Sequence, residues 1–330
     1  MLTKDDIIGY SAMIPTPCKA GEAGWDNEHS VDLDETERMV KNLVKDGVGS
    51  FAVNGTTGEC AALLWEEKLE FNKCIIEANN GSVPVFSGVT ALGTKETVRQ
   101  MKAFKDLGAD GAFVGLPLWQ TPSNEMMVQF YQDLGEAVPD MAIMIYSNPM
   151  FFKSTFPVEF WQGIGKRAPT VVTNKFVGNM MDMPNAFADL EASMDGAPNV
   201  AFLPIDFLAP VAYGIVGDRI KGVWSTSCAM GPEPIIAMVD AMHGADQKAM
   251  GVILHDMHDL PNPIIDFAEF PKYNVQVEKT RTNAAGYINA GPVRAPYQYM
   301  PDDWRKGCEE SGVAWAKYCK TFPAAPSRSA

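Results

Sequence analysis

What most restricts the fold of this chain is an alternation. Short apolar runs bounded by Gly, Pro or Asn recur between segments with apolar residues at helical spacing, from the first tenth of the chain to about residue 245. The runs are SAMIPTP (11–17), SFAVNG (50–55), VPVFSGV (83–89), GAFVGLP (111–117), AIMIYSNP (142–149), VVTNKFV (171–177), AFLPID (201–206) and GVWSTS (222–227). Their near-continuous apolar character is that of strands buried on both faces. Between them, DLDETERMVKNLVKDG places Met39, Val40, Leu43 and Val44 at helical spacing, crowds acidic residues into the first turn and stops at Gly47. TVRQMKAFKDLG repeats the design through Val98, Met101, Phe104 and Leu107 before Gly108, and NEMMVQFYQDLGEAV through Met126, Met127, Phe130 and Leu134. Eight such units, at a spacing of roughly 30 residues, predict an α/β fold of the (β/α)8 TIM barrel type. A doubly wound open sheet is the rival, but it more often carries a GxGxxG turn after its first strand, and MIPTPCKAG is not one.

After about residue 245 the alternation stops. QKAMGVILHDMHDL, KYNVQVEKTRTNAAGYI and DWRKGCEESGVAWAKYC read as helices. The expected organisation is a barrel over 1–245 and a C-terminal helical extension over 246–330 packed on it, with PAAPSRSA as a loose tail.

A formal net charge of -14 argues against nucleic acid and anionic membrane partners, both of which demand clustered Lys and Arg. MLTKDDIIGY has neither the basic nor the apolar region of a signal peptide, and no apolar stretch approaches the roughly 20 residues of a membrane span. The six cysteines, Cys18, Cys60, Cys74, Cys228, Cys308 and Cys319, form no CxxC pair, so free thiols in a reducing cytoplasm are expected. His255 and His258 in HDMHD could share a helix face and ligate a metal, but no third ligand is evident nearby. A solvated face is the expectation, and no metal site is assigned.

One residue breaks the strand pattern. Lys175 interrupts the apolar run VVTNKFV, where a charged ammonium costs several kcal/mol unless paired or neutral. In a barrel, reactive groups sit at the C-terminal ends of strands. NGTTGE (54–59) ends the second strand, Tyr146 the fifth, and Lys175 lies late in the sixth. Neighbouring strands are about 4.8 Å apart, so a phenol and an amine at matching heights can meet. A dry lysine is pushed down from about 10.4, and the neutral amine can attack a ketone to give an iminium, an electron sink. A tyrosine beside it can shuttle protons, and two threonines in a glycine loop offer hydroxyls and N–H groups to a carboxylate. Such parts would handle a 2-oxo acid. Each also has a plain reading: a lysine that snorkels to solvent, a glycine turn, a core tyrosine.

GTTGE (55–59), YSNP (146–149) and Lys175, twenty-nine residues after the tyrosine, together resemble the N-acetylneuraminate lyase and dihydrodipicolinate synthase superfamily of Schiff-base aldolases. The resemblance implies Lys175 as the Schiff-base former and Tyr146 as the proton shuttle. It implies that Gly55, Thr56 and Thr57 hold the pyruvyl carboxylate, with Thr56 able to relay a proton. No separate cofactor is implied, only the covalent Schiff base on Lys175. The synthase branch places an arginine where this chain has Phe151, and a tyrosine lent by a neighbouring subunit where GLPLWQTP presents Trp119. Two polar recognition positions are thus aromatic, which fits a flat apolar substrate.

A closer likeness, spanning nearly the whole chain, is to the hydratase-aldolases of polycyclic aromatic degradation, the trans-o-hydroxybenzylidenepyruvate and trans-2-carboxybenzalpyruvate enzymes. It runs through PLW (117–119), IYSNP (145–149), FPVEFW (156–161), WSTSCAMGP (224–232), FPKYNVQVEK (270–279), AAGYINAGPVRAPY (284–297) and SGVAWA (311–316). It implies that Trp224 and Asn274 line the site, with Asn274 or Tyr146 orienting a water and Trp224, Trp119 and Phe151 walling an aryl pocket. The plain alternative for Trp224 is ordinary barrel filling. A homotetramer is implied as well. The rival functions are a sugar-acid lyase or dehydratase, or a dihydrodipicolinate synthase-like enzyme, on the same scaffold; a barrel that binds 2-oxo acids without catalysis; and a metal-dependent aldolase.

Overall fold

The computed structural model describes residues 1–178, 185 and 187–328. Its eight strands are β1 (Gly9–Met13), β2 (Ser50–Ala52), β3 (Val85–Gly88), β4 (Gly111–Val114), β5 (Ala142–Tyr146), β6 (Val171–Lys175), β7 (Ala201–Leu203) and β8 (Gly222–Ser225). Every pairing is parallel, in the order β7-β6-β5-β4-β3-β2-β1-β8. An isolated parallel bridge between Ile205 and Trp224 joins the two ends, with Trp224 N donating to Pro204 O at 2.9 Å. The result is the expected TIM barrel, nearly closed, with this bridge at the seam between β7 and β8.

Around it lie α1 (Leu33–Lys45), α2 (Trp65–Asn79), α3 (Thr94–Leu107), α4 (Asn124–Ala137), α5 (Pro149–Phe152), α6 (Val158–Arg167), α7 (Leu190–Gly196), α8 (Ala209–Val216) and α9 (Glu233–His243). Their ends follow local chemistry. Asp32 caps α1 by accepting from Glu35 N, and Gly108 closes α3 in the left-handed region at φ +99°. The chain then continues through α10 (Gln247–His258), α11 (Phe270–Ala285) and α12 (Asp302–Cys319), the helices read from the sequence.

The strands stop short of the apolar runs that announced them. Pairing ends at Met13, Ala52, Tyr146 and Lys175, while the runs continue for two to four residues. Those residues pack as loops over the barrel mouth and stay buried, as Val53, Asn54, Ser147, Asn148, Phe176 and Val177 do. Hydropathy reports burial, not where a hydrogen-bonded ladder ends.

An aromatic layer outside the barrel pins β6. Phe176 meets Phe202 at 5.5 Å, and Phe202 meets Trp161 of α6 at 4.7 Å between ring centroids. Because side chains alternate along a strand, a Phe176 directed outward leaves Lys175 directed into the barrel, and a slip of one residue would exchange them.

As far as Arg328 the tail is not loose. Ala325 is buried, Ser327 N donates to Asp46 Oδ1 at 2.6 Å, and Arg328 pairs with Glu233 at 3.2 Å. Its terminal position pointed to a loose segment, but two buried carboxylates, Asp46 and Glu233, give the tail partners that only the fold brings near. His255 and His258 lie on the exposed face of α10 beside Asp256 and Asp259. All six cysteines are free. No helix among the described residues is long and apolar enough to cross a membrane.

Candidate active site

The strand register brings the two key side chains together. Tyr146 and Lys175 are directly paired across β5 and β6, so both point into the barrel at one height. The Lys175 Nζ lies 3.5 Å from the Trp224 ring centroid and 5.2 Å from that of Tyr146. Trp224 is itself fixed, because its Nε1 donates to the Phe176 carbonyl at 2.8 Å. Lys175, Tyr146 and Trp224 are all buried. Burial pushes the Lys175 amine down from 10.5 to about 7, while the negative charge of Glu278 pulls the other way. About half of the amine is therefore neutral near pH 7, the form that can attack a carbonyl.

Tyr146 is the hub of a hydrogen-bond cluster. Its hydroxyl lies 2.7 Å from Thr56 Oγ1 and accepts from Thr56 N at 3.3 Å and from Asn148 Nδ2 at 3.1 Å. Burial raises its pKa, and the hydrogen bonds from Thr56 and Asn148 oppose that rise. The group remains a phenol near neutrality, able to pass a proton through its bond to Thr56. Its ring is stacked on Phe113 at 4.4 Å and met edge-on by Phe152 at 5.1 Å. Gly115 makes room for that second contact, since a Cβ there would stand 2.1 Å from Phe152 Cζ.

The loop after β2 carries Gly55, Thr56 and Thr57, all half-buried, and Thr56 is the member that touches Tyr146. A Cβ on Gly55 would come within 3.0 Å of Phe113 Cε1, so a larger residue would press on the ring that supports Tyr146.

The other expected residues are placed less uniformly. Asn274 is half-buried on α11, one turn before Glu278, the residue whose charge acts on Lys175. Phe151 is half-buried on α5; its neighbour Phe152 makes the contact with Tyr146. Trp119 is not brought into the cluster. The loop leaving β4 carries it outward between Pro117 and Pro122, and it is 88% exposed, so within one chain it forms no part of a wall around Lys175. Phe113, Asn148, Phe152 and Glu278 were not anticipated. Asn148 lies inside the YSNP stretch and Glu278 inside FPKYNVQVEK, and both could have been noticed there; Phe113 and Phe152 carry no signal beyond ordinary strand or helix composition.

Two cavities lie away from this cluster. One, of about 250 Å³, runs between Thr94, Pro117, Pro122 and Met126; the other, of about 230 Å³, sits at the opposite barrel end among Lys4, Met194, Arg219 and Lys221.

A parallel barrel with a buried lysine beside a phenol–threonine pair defines a class, and comparison with known proteins agrees with it. The sequence profile of the dihydrodipicolinate synthetase family matches residues 18–199. The trans-O-hydroxybenzylidenepyruvate hydratase-aldolase of Pseudomonas putida is 40% identical, with 97% of each chain covered. The trans-2'-carboxybenzalpyruvate hydratase-aldolase of Nocardioides sp. (strain KP7) is 34% identical, with 97% of this chain and 98% of that one covered. A solved structure of PhdJ bound to a substrate intermediate superposes with a TM-score of 0.92 at 31% identity, covering 98% of this chain and 99% of that one. The chain belongs to the dihydrodipicolinate synthetase family, and within it to the group of these hydratase-aldolases.

Proposed function

We propose that this protein is a lysine-dependent hydratase-aldolase acting in aromatic hydrocarbon breakdown. It converts an arylidene pyruvate and water into an aromatic aldehyde and pyruvate. The observation that carries the reading is the Lys175 amine, kept dry against the Trp224 ring and paired across the sheet with Tyr146.

The neutral Lys175 amine adds to the substrate ketone and releases water, giving an iminium conjugated with the side-chain double bond. Thr56 and Thr57 hold the carboxylate, and Tyr146 moves the protons that carbinolamine formation and dehydration require. The positive nitrogen withdraws electrons through the double bond, so a water adds at the aryl-bearing carbon and a proton is taken up at the adjacent carbon. Asn274 or Tyr146 orients that water. Removal of the new hydroxyl's proton, through Tyr146 and Thr56, breaks the carbon–carbon bond, and the electron pair flows into the iminium. The aldehyde leaves, the remaining enamine takes a proton, and a second water releases pyruvate and restores the amine. Overall one water is consumed and no metal or redox step is needed. Trp224 and Phe151 are assigned to the aryl wall. Trp119 reaches such a wall only from a neighbouring subunit, which accords with the homotetramer expected from the resemblance. Exposed Leu92, Leu118 and Met126 add apolar surface for that assembly to cover. A cytoplasmic location goes with the reading, in keeping with six free thiols.

The test is a panel of arylidene pyruvates followed by loss of enone absorbance and coupled pyruvate detection, with borohydride trapping of pyruvate on the protein. Trapping on the peptide bearing Lys175 and pyruvate release from an ortho-substituted benzylidenepyruvate are expected. Absence of the adduct, or turnover of sugar acids alone, would refute the assignment.

A further inference from the structure

Behind the Gly55–Thr57 loop lies a buried charged network that the chemistry above does not use. Glu59, fully buried, accepts from Lys279 Nζ at 2.8 Å, from Arg294 N at 2.7 Å, and from the Arg294 guanidinium. Lys279 also donates to Pro292 O at 2.8 Å and Thr16 O at 3.3 Å. Arg294 reaches Ser30 Oγ at 2.6 Å, Thr16 O at 3.0 Å and Pro17 O at 2.9 Å. Ser30 in turn donates to Glu67, so two carboxylates balance two cations. Thr16 Oγ1 closes the circuit on the loop itself, donating to Gly58 O at 2.8 Å.

Four buried charges are a poor route to stability, because desolvation offsets most of the attraction and an apolar core would serve as well. Conformational control is a better account of them. Asn54 and Glu59, at the two ends of the loop, both hold left-handed backbone, with φ of +52° and +54°. Non-glycine residues persist there only when their surroundings over-determine them. Thr56 and Thr57 lie between these two strained ends. Both cations that grip Glu59 come from beyond residue 246, Lys279 from the middle of α11 and Arg294 from the segment after it.

We propose that Lys279 and Arg294 are positioning residues which, by clamping Glu59, hold Thr56 and Thr57 in the geometry that binds the substrate carboxylate. The segment 246–330 is then a working part of the substrate site and not an accessory packed on a self-sufficient barrel. A loop fixed before binding loses little conformational freedom when the 2-oxo acid arrives, and a slack one must be ordered at the expense of affinity. The inference rests on the aldolase reading, through the role given to the loop.

The test uses the full chain and two variants, Lys279→Met and Thr16→Val. It measures the pyruvate concentration that half-saturates borohydride labelling of Lys175, with unfolding followed in parallel. Lys279→Met is expected to raise that concentration on the order of tenfold and Thr16→Val about threefold, the usual worth of one charge-assisted and one neutral hydrogen bond. Combining Lys279→Met with Thr56→Ala should give less than the product of the single effects, since both act through one side chain. A network that only stabilises the fold would lower the unfolding midpoint and leave half-saturation unchanged, which overturns the proposal. Should Lys279→Met not fold, Thr16→Val decides alone. Labelling that persists with unshifted half-saturation removes the positioning role and leaves the aldolase reading standing, whereas an unlabelled parent protein takes down both.

Discussion

Replacing Lys175 with methionine is expected to make the protein more stable, by an amount that shrinks as pH rises. The folded chain holds the amine at about 7, against an ordinary value of 10.5. Because the folded value is the lower one, unfolding takes up a proton throughout the interval between them, and native stability rises with pH across it. The penalty that Lys175 imposes is therefore about 5 kcal/mol well below pH 7, about 4 kcal/mol at pH 7 and about 2 kcal/mol at pH 9. Methionine carries none of this penalty, and whatever it gains or loses in packing against Trp224 is the same at both pH values. The gap in unfolding free energy between variant and parent should thus narrow by about 2 kcal/mol from pH 7 to pH 9. Urea unfolding followed by tryptophan fluorescence measures it directly, and at constant denaturant sensitivity the shift in midpoint carries the same information. A gap that stays constant between the two pH values would show that the amine is not desolvated in the folded chain. The kinetic role assigned to Lys175 would then lose its physical basis.

Borohydride labelling of Lys175 by pyruvate should rise with pH and reach half its maximum near pH 7, read from initial labelling rates. Glu278→Gln should move that midpoint to lower pH, because it removes the charge that favours the ammonium form; no movement would dissociate Glu278 from the amine. Tyr146→Phe should slow turnover by about 10²–10⁴-fold, the usual worth of a positioned proton-transfer group, with half-saturation little changed. Asn274→Ala should reduce hydration of the enone more than cleavage of the pre-hydrated aldol, measured on separately prepared substrates; equal losses would exclude Asn274 as holder of the water.

Much of the candidate site could be proposed from the chain, and the reason lies in strand geometry. A lysine in a buried run, a tyrosine at the end of the preceding run and a glycine loop after the second run are visible as interruptions of a pattern. In a parallel barrel every strand end faces the same way. The residues that hold those groups in place were not visible. Phe113 and Phe152 flank Tyr146, yet each looks like an ordinary strand or helix residue until the fold is formed, and only the fold shows Glu278 acting on Lys175. Trp119 shows what a single stretch of sequence leaves open: its loop carries it outward, away from its own Lys175, so any part it plays depends on a neighbouring chain.

By itself the sequence determined the periodicities, and with them the eight strands and the helices that cover them, because these follow from spacing along a single segment. The tertiary structure decided what depends on distance between segments. It set how dry Lys175 is, which hydroxyl touches Tyr146, and where the polar tail finds Asp46 and Glu233. It also brought Lys279 and Arg294 onto Glu59, more than two hundred residues away in the chain. Desolvation and hydrogen bonding act over a few ångströms of space, and no local pattern encodes which distant residues come that close.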